Sequence, residues 1–459
     1  MHFCTLLKLI TLATILPSCS FQQFTPKPLN PSKNTAVFEQ KNPTNAEFKQ
    51  FLMGNGYASE SLPLNQWDLD ALNFCALFFH PSLNVARAQW RAAQVAEISV
   101  ATKITPTING HLSHSDDTDP AKKPFAFGLS IDIPIETANK RNIRIENAQH
   151  LSQAAKLEVA QMGWQLRNNI AQTLTEYQFN QSQLRLLINE ETRRQEIVSI
   201  YQNRVRLGAA SNVELSTAKL QLQTSTAERN ALQKNKLVLL AKLASNLGLP
   251  LEKVEAMQIS TGDKRQITNI PDADLQSTAL LNRLDIRIAL ERYAATEAKL
   301  KLEIAKQYPD VVISPAYVFE FGDNVWSLGL SGLLTWLNKN KVGIAEATQL
   351  REIEVAQFEA LQTKVILDAN IANAEVMQAK QTLANQQQLH AQQLDNSQRM
   401  ERKFAAGEID RLELAFVKLE SIIAEKNVAL ANFQLNKSLD LLENTLQKPL
   451  TGVGAKIEP

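Results

Sequence analysis

The chain has 459 residues, of which 44% are hydrophobic and 21% charged, with 15 Gly and 17 Pro; this excludes a disordered chain and a helical membrane protein, and it exceeds one ordinary domain. Lys plus Arg number 48 against 47 Asp plus Glu, a formal net charge of +1. No global field therefore draws nucleic acid or an anionic surface, and nucleic-acid partners are set aside.

In chain order, the first expected element is an export signal. Lys8 is the only charge before Cys19, a largely apolar run extends from Leu6 to Leu16, and Leu16-Pro17-Ser18-Cys19 follows. The run is too short to span a bilayer. A small residue before a Cys at the end of such a run resembles the lipobox of bacterial lipoproteins. Residues 1–18 thus read as a lipoprotein signal peptide and Cys19 as the acylated (palmitate-bearing) lipidation site, with Ser20 resembling lipoproteins sorted to the outer membrane. Cleavage there leaves Cys19 and Cys75, and with Cys19 acylated no disulfide framework remains. Cys75 lies in the apolar stretch Leu69 to Phe79 and reads as a packing residue. Residues 19–63, polar and carrying Pro26, Pro28, Pro31 and Pro43, read as an extended lipidated tether.

The remainder is a tandem repeat. Leu83-Asn84-Val85 recurs as Leu284-Asp285-Ile286, Gly128-Leu129-Ser130 as Gly329-Leu330-Ser331, and Gly208 followed by Glu214-Leu215 as Gly407 followed by Glu413-Leu414. These anchors set a first repeat at 64–248, a linker or equatorial segment at 249–274, a second repeat at 275–448 and a tail at 449–459. Each copy predicts a helix, two strands, a very long helix, a sharp turn and another long helix: a mainly α chain with a small β part. Ile344 to Ala406 contains no Gly or Pro, and Ile135 to Leu207 only Gly163, so continuous helices on the order of 100 Å are expected. Ala415, Leu419, Ile422, Ala429 and Phe433 fall at three- and four-residue steps like a coiled-coil seam, which Lys426 interrupts.

The strands are expected at about 106–115, 125–135, 311–321 and 325–336. In the second, Phe125, Phe127, Leu129, Ile131, Ile133 and Ile135 alternate with small or polar residues; Trp326, Leu328, Leu330, Leu334 and Trp336 alternate likewise, and Ile313, Tyr317, Phe319 and Phe321 continue the pattern. This is the alternation of a tilted strand crossing a bilayer, with Trp326, Trp336 and Phe321 suited to an interfacial aromatic girdle. Backbone groups in lipid must all be paired, so a membrane sheet has to close. Four strands cannot close alone; pooling them gives about eight strands in a dimer or about twelve in a trimer.

At the helix tips, Gly208 and Gly407 suit left-handed helix ends, and Ser211 with Glu214, then Asp410 with Glu413, have capping-box spacing. Arg204, Arg206, Arg402 and Lys403 lie just before the tips, either pairing with these acids or forming a solvated face. His111-x-x-His114 with Asp116, Asp117 and Asp119 has no common metal-site spacing, and on a strand the two His face opposite sides, so no metal site is expected. No nucleophile elbow or catalytic triad grouping is present, and no enzyme activity or cofactor is expected.

Taken together, these residues resemble the TolC-like outer-membrane efflux family, from about Leu62 to Leu446, as an outer-membrane factor lipoprotein. IETANKR at Ile135 to Arg141 and LNKNKVGIAEA at Leu337 to Ala347 are similar to the stretches after the strand pairs in members that accompany cation-exporting pumps. The resemblance implies a homotrimer with a 12-stranded β-barrel, four strands per protomer, in the outer membrane, continued by a helical tube across the periplasm. It implies a passive exit duct of a tripartite efflux system for small molecules or ions. A periplasmic adaptor (membrane-fusion) protein and an inner-membrane pump, with the RND type as one candidate, are the implied partners. Asp410, Glu413, Phe416 and Glu214 then stand at the periplasmic entrance, where a ring of Glu413 selects cations by charge or simply caps its helix, and Phe416 is an apolar constriction. The competing expectation is a periplasmic coiled-coil structural lipoprotein without a pore.

Overall fold

The computed structural model describes residues 22–116, 123–260, 272–320, 322–333 and 338–450. The expected signal peptide, Cys19, Asp117, Asp119, Phe321, Leu334 and Trp336 lie outside them. Residues up to Lys41 form one unit and those from Asn42 onward a second. In the first, α1 (Pro31–Glu39) starts where Pro31 fixes the backbone and the Asn30 side chain accepts the Lys33 N–H at 3.1 Å.

The second unit opens with α2 (Ala46–Gly54), capped by Asn45, whose Oδ1 accepts from Phe48 N at 2.8 Å. Here the structure departs from the extended tether expected for 19–63: Phe48 and Leu52, one turn apart, are fully buried, and their burial outweighs the loop-forming composition around them. They pack with α3 (Leu69–Phe79), where Cys75 is buried among apolar neighbours. A Pro at the first helical position begins α4 (Pro81–Ala101).

After β1 (Thr107–His114) and β2 (Phe125–Ile135), the chain runs through α5 (Lys140–Arg206, 67 residues) and α6 (Asn212–Leu247, 36 residues). The short α7 (Leu251–Glu255) and α8 (Asp272–Asn282) follow, and then the plan recurs. The second series is α9 (Leu284–Ala305), β3 (Val311–Glu320), β4 (Asp323–Gly332), α10 (Lys341–Ala405, 65 residues) and α11 (Arg411–Leu446, 36 residues). The near-identical lengths of the paired helices are what a duplicated sequence requires. At 1.5 Å per residue, α5 and α10 are each about 100 Å long.

Among the described residues, several apolar clusters punctuate these helices, a small one pairing Ala154 and Leu157 of α5 with Ile288 of α9. One joins α2 and α3 to α5 and α6 through Phe48, Leu72, Ile170, Leu174 and Leu243. A second joins α8, α10 and α11 through Ala279, Val365, Ala369, Ala372 and Leu439. The third lies toward the tips, where Ile197 and Val198 of α5 meet Ala218 of α6 and Leu412, Ala415 and Leu419 of α11. The Ala positions allow close helix approach, as the seam pattern anticipates.

Lys426, an interruption in the sequence pattern, has a specific partner. Its Nζ donates to Glu190 Oε2 of α5 at 2.7 Å, while Arg194 Nε and Ser225 Oγ donate to Glu190 Oε1 at 2.8 and 3.2 Å. Burial pushes the Glu190 carboxyl up, but its bonds to Lys426 and Arg194 outweigh this and hold it below its ordinary value. A buried charge matched by one lysine on the facing helix fixes register at that height.

The four strands form one antiparallel sheet in the order β1-β2-β3-β4. Phe127 stands opposite Phe319 and Ile133 opposite Ile313, so β2 and β3 join the two copies. Each strand pair re-enters helix through a tight corner: Ala138, Asn139, Lys339 and Asn340 all have positive φ, a conformation that Asn tolerates better than most residues. Lys140 locks the first corner by donating to Asp310 Oδ1 at 2.8 Å and Tyr308 O at 2.5 Å, and Asn340 Nδ2 ties the second to Glu303 O at 2.8 Å.

Removing the Glu190 partner is the sharpest test of this packing. Lys426→Met is expected to destabilise the protein by about 1–3 kcal/mol, the cost of an under-satisfied buried carboxylate. Glu190→Gln in the same chain should recover most of that loss, as read from denaturant midpoints; equal loss in single and double variants would show that the pair does not set register.

Candidate functional site

The two tips are built differently. After Gly208, whose φ of +72° suits glycine, Ser211 caps α6 through a reciprocal box: its Oγ accepts from Glu214 N at 3.2 Å, and its own N–H donates to Glu214 Oε2 at 2.7 Å. That backbone bond, with the Ser211 hydroxyl adding to it, holds the Glu214 carboxyl below its ordinary value. After Gly407, with φ of +77°, Asp410 Oδ1 alone caps α11, accepting from Leu412 N at 2.7 Å and Glu413 N at 3.1 Å. The Glu413 side chain makes no bond back to the turn among the described residues. It is exposed, as is Phe416 one turn on, while Leu412 and Ala415 beside them enter the tip cluster.

Two ion pairs fasten the second tip to α5. Arg204 Nη2 stands 2.8 Å from Asp410 Oδ2, and Arg411 Nη2 stands 3.0 Å from Glu196 Oε1, which shares its carboxylate with Arg193. The bond from Arg204, then the Glu413 N–H, holds the Asp410 carboxyl below its ordinary 3.8. Burial pushes Glu196 up, and the bonds from Arg193 and Arg411 bring it below its ordinary 4.5. Of the basic residues noted before the tips, Arg204 pairs across helices, whereas Arg206 bonds Asn203 and Arg402 bonds the Gln398 carbonyl within their own helices. The Arg411–Glu196 pair was not anticipated; its only sequence signal is that Glu196 and Arg204 lie eight residues apart, near one face of α5.

At the sheet, His111 stands opposite Gly128 and His114 opposite Phe125, so the two His occupy opposite faces. No group of three or more metal-binding side chains occurs among the described residues, and no described helix is long and apolar enough to cross a membrane. One sheet face carries Ile108, Leu112, Phe127, Leu129, Trp326, Leu328 and Leu330, all exposed; the other carries Asn109, His111, Ser130, Asp132, Ser314 and Ser327.

Residues 76–249, from within α3 to just past α6, match the family model described as outer membrane efflux protein. Over those residues the chain is similar to the outer membrane efflux proteins. Solved structures of similar fold include the outer-membrane channel OprN (18% identical, TM-score 0.66, covering 94% of this chain and all of that one). CusC (16%, TM-score 0.68, 83% and 92%) and VceC of Vibrio cholerae (16%, TM-score 0.68, 83% and 97%) share the same arrangement. Nodulation protein T of Rhizobium leguminosarum bv. viciae is 24% identical over 266 residues, 56% of this chain and about half, 54%, of its own length. This chain shares with those structures a fold of long helices and a four-stranded sheet.

The pairing of Asp410 gives a pH dependence of definite sign. A carboxyl held below its ordinary value stabilises fully above that value, here 3.8, and the contribution is lost as pH falls below it. Spin labels at the exposed tip positions 207 and 408 should therefore give a narrow distance distribution near neutrality that broadens below 3.8. Arg204→Ala should broaden it at neutral pH, and Asp410→Ala, which also removes the cap at a cost of about 1 kcal/mol, should broaden it further. Insensitivity to both acid and Arg204→Ala would show that the pair does not hold the tip.

Proposed function

We propose that the chain is one protomer of a homotrimeric outer-membrane exit duct of a tripartite efflux system, carrying small molecules or ions passively from the periplasm to the outside. One observation carries this reading: a four-stranded sheet whose edges, β1 and β4, have no partner among the described residues and whose apolar face is exposed. Exposed apolar area of this extent does not persist on a soluble monomer, and open edges are not tolerated in lipid. Three copies supply about twelve strands, within the range of membrane barrels. The match of residues 76–249 to the outer membrane efflux protein model and the fold shared with OprN, whose structure is described as an outer-membrane channel, support the same reading.

In this arrangement the long helices extend into the periplasm and their tips form the entrance, with acyl-Cys19 anchoring the chain to outer-membrane lipid. A periplasmic adaptor and an inner-membrane pump, of the RND type on the resemblance to cation-efflux members, deliver cargo to the tips. Glu413 is suited to a gate role because its carboxylate is exposed and Asp410 already caps the helix. A three-fold ring of it attracts cations, and Phe416 adds an apolar step behind it. The pairs Arg204–Asp410 and Arg411–Glu196 hold α11 against α5 and favour a narrowed entrance.

Purified protein in planar bilayers is expected to conduct, and Glu413→Ala to lower the cation-to-anion permeability ratio about twofold at low salt, where charge is least screened. Combined Arg204→Ala and Arg411→Ala should raise conductance. A detergent-purified trimer that never conducts, even with the tip pairs removed, would leave a periplasmic coiled-coil spacer as the better reading.

A further inference from the structure

Asp132 is the only carboxylate in the interior of the sheet's polar face among the described residues; Glu320 and Asp323 lie at the far hairpin end. It is held from both sides. Asn109 Nδ2 of β1 donates to Oδ2 at 2.7 Å, and Ser314 Oγ of β3 donates to Oδ1 at 2.5 Å. Both donors are neutral, so they fix the carboxylate without cancelling its charge. No Lys or Arg stands on that face among the described residues. The nearest base along the chain beyond β2 is Lys140, already committed to Asp310.

We infer that Asp132 is a specificity-determining residue: three copies form a fixed carboxylate ring at the base of the barrel that favours cations, separate from the entrance at the helix tips. This rests on the duct reading. Asp132 lies three residues before the helix-side end of β2, about 10 Å up the wall. Twelve strands about 4.8 Å apart and tilted about 40° give a backbone radius of about 12 Å. Side chains directed inward then place their charge within about 10 Å of the axis, comparable with the Debye length at about 0.1 M salt. The field therefore reaches the middle of the pore in dilute salt and is screened to about 3 Å at about 1 M. A residue serving only to bridge strands has no such salt signature. The tips lie at the far ends of helices about 100 Å long, many Debye lengths away, so the two rings act independently.

The test is the permeability ratio of assembled channels under a KCl gradient. Asp132→Asn, which retains hydrogen-bonding capacity, should lower the cation-to-anion ratio about threefold at about 0.1 M and leave it unchanged at about 1 M, with conductance retained. Its effect should multiply with that of Glu413→Ala. To remove any question of folding, Asp132→Cys is assembled first and then treated with a negatively charged methanethiosulfonate, which should restore cation preference, or a positively charged one, which should favour anions. Wild-type protein treated identically should not respond, Cys75 being buried. Channels that conduct with a ratio indifferent to charge at position 132 would overturn this inference while leaving the duct intact. Trimers with no conductance even after Arg204→Ala and Arg411→Ala would overturn both.

Discussion

Every backbone N–H and C=O in the sheet has to find a partner, and this protein supplies partners for only part of what it exposes. The three ladders from β1 to β4 pair the inner strands on both sides along most of their length, yet among the described residues the outer edges of β1 and β4 each offer a row of unpaired groups along eight to ten residues. In water such edges invite aggregation, and in lipid they are costly enough to be excluded. On the proposed duct reading identical copies resolve that deficit, and the one-sided apolar face and the corners that return the chain sharply from strand to helix fit such an arrangement. Duplication within the chain halves the problem, since β2 of one copy and β3 of the other already pair.

The helices face a different difficulty. Helices of more than 60 residues with small seam residues can slide by a heptad with little change in apolar contact, because Ala matches Ala at several heights. What opposes sliding is polar and specific. Glu190 accepts from Lys426, Arg194 and Ser225 on three helices, and Arg167, itself buried, reaches both Asp70 and Glu443 at 2.9 and 3.1 Å. Such groups contribute little net stability against an apolar replacement, but a slipped register strands their charge, and that asymmetry selects one alignment.

Much of this was legible in the residues. The alternation from Phe125 to Ile135 placed β2 at its observed bounds, because a period of two leaves no other face for the large side chains. The turns at Gly208 and Gly407 and the capping by Ser211 and Asp410 were legible for a similar reason, being local chemistry over three or four residues. What composition concealed was α2: the prolines and polar residues around it suggested an extended tether, while Phe48 and Leu52 alone marked the buried face. Nor did any local pattern reveal Arg411 with Glu196, 215 residues apart in sequence, or give Lys426 a purpose other than interrupting a seam. Contacts across the duplication depend on how the two copies lie side by side, which hydrophobic period does not encode.

The two tips show how duplication permits specialisation. Both turns began from one plan, a glycine followed by a cap and a glutamate at the third helical position. In the first copy the glutamate folds back onto Ser211 and is consumed by the cap. In the second, Asp410 performs the capping with a single side chain, and because its other oxygen is engaged by Arg204, the whole turn is drawn toward α5. Glu413 is thereby released from local duty and left with an uncommitted charge at the end of the chain's longest reach. A carboxylate that its own helix does not need is the feature on which the gate role proposed for Glu413 rests, and it follows from Asp410 capping the helix through one oxygen.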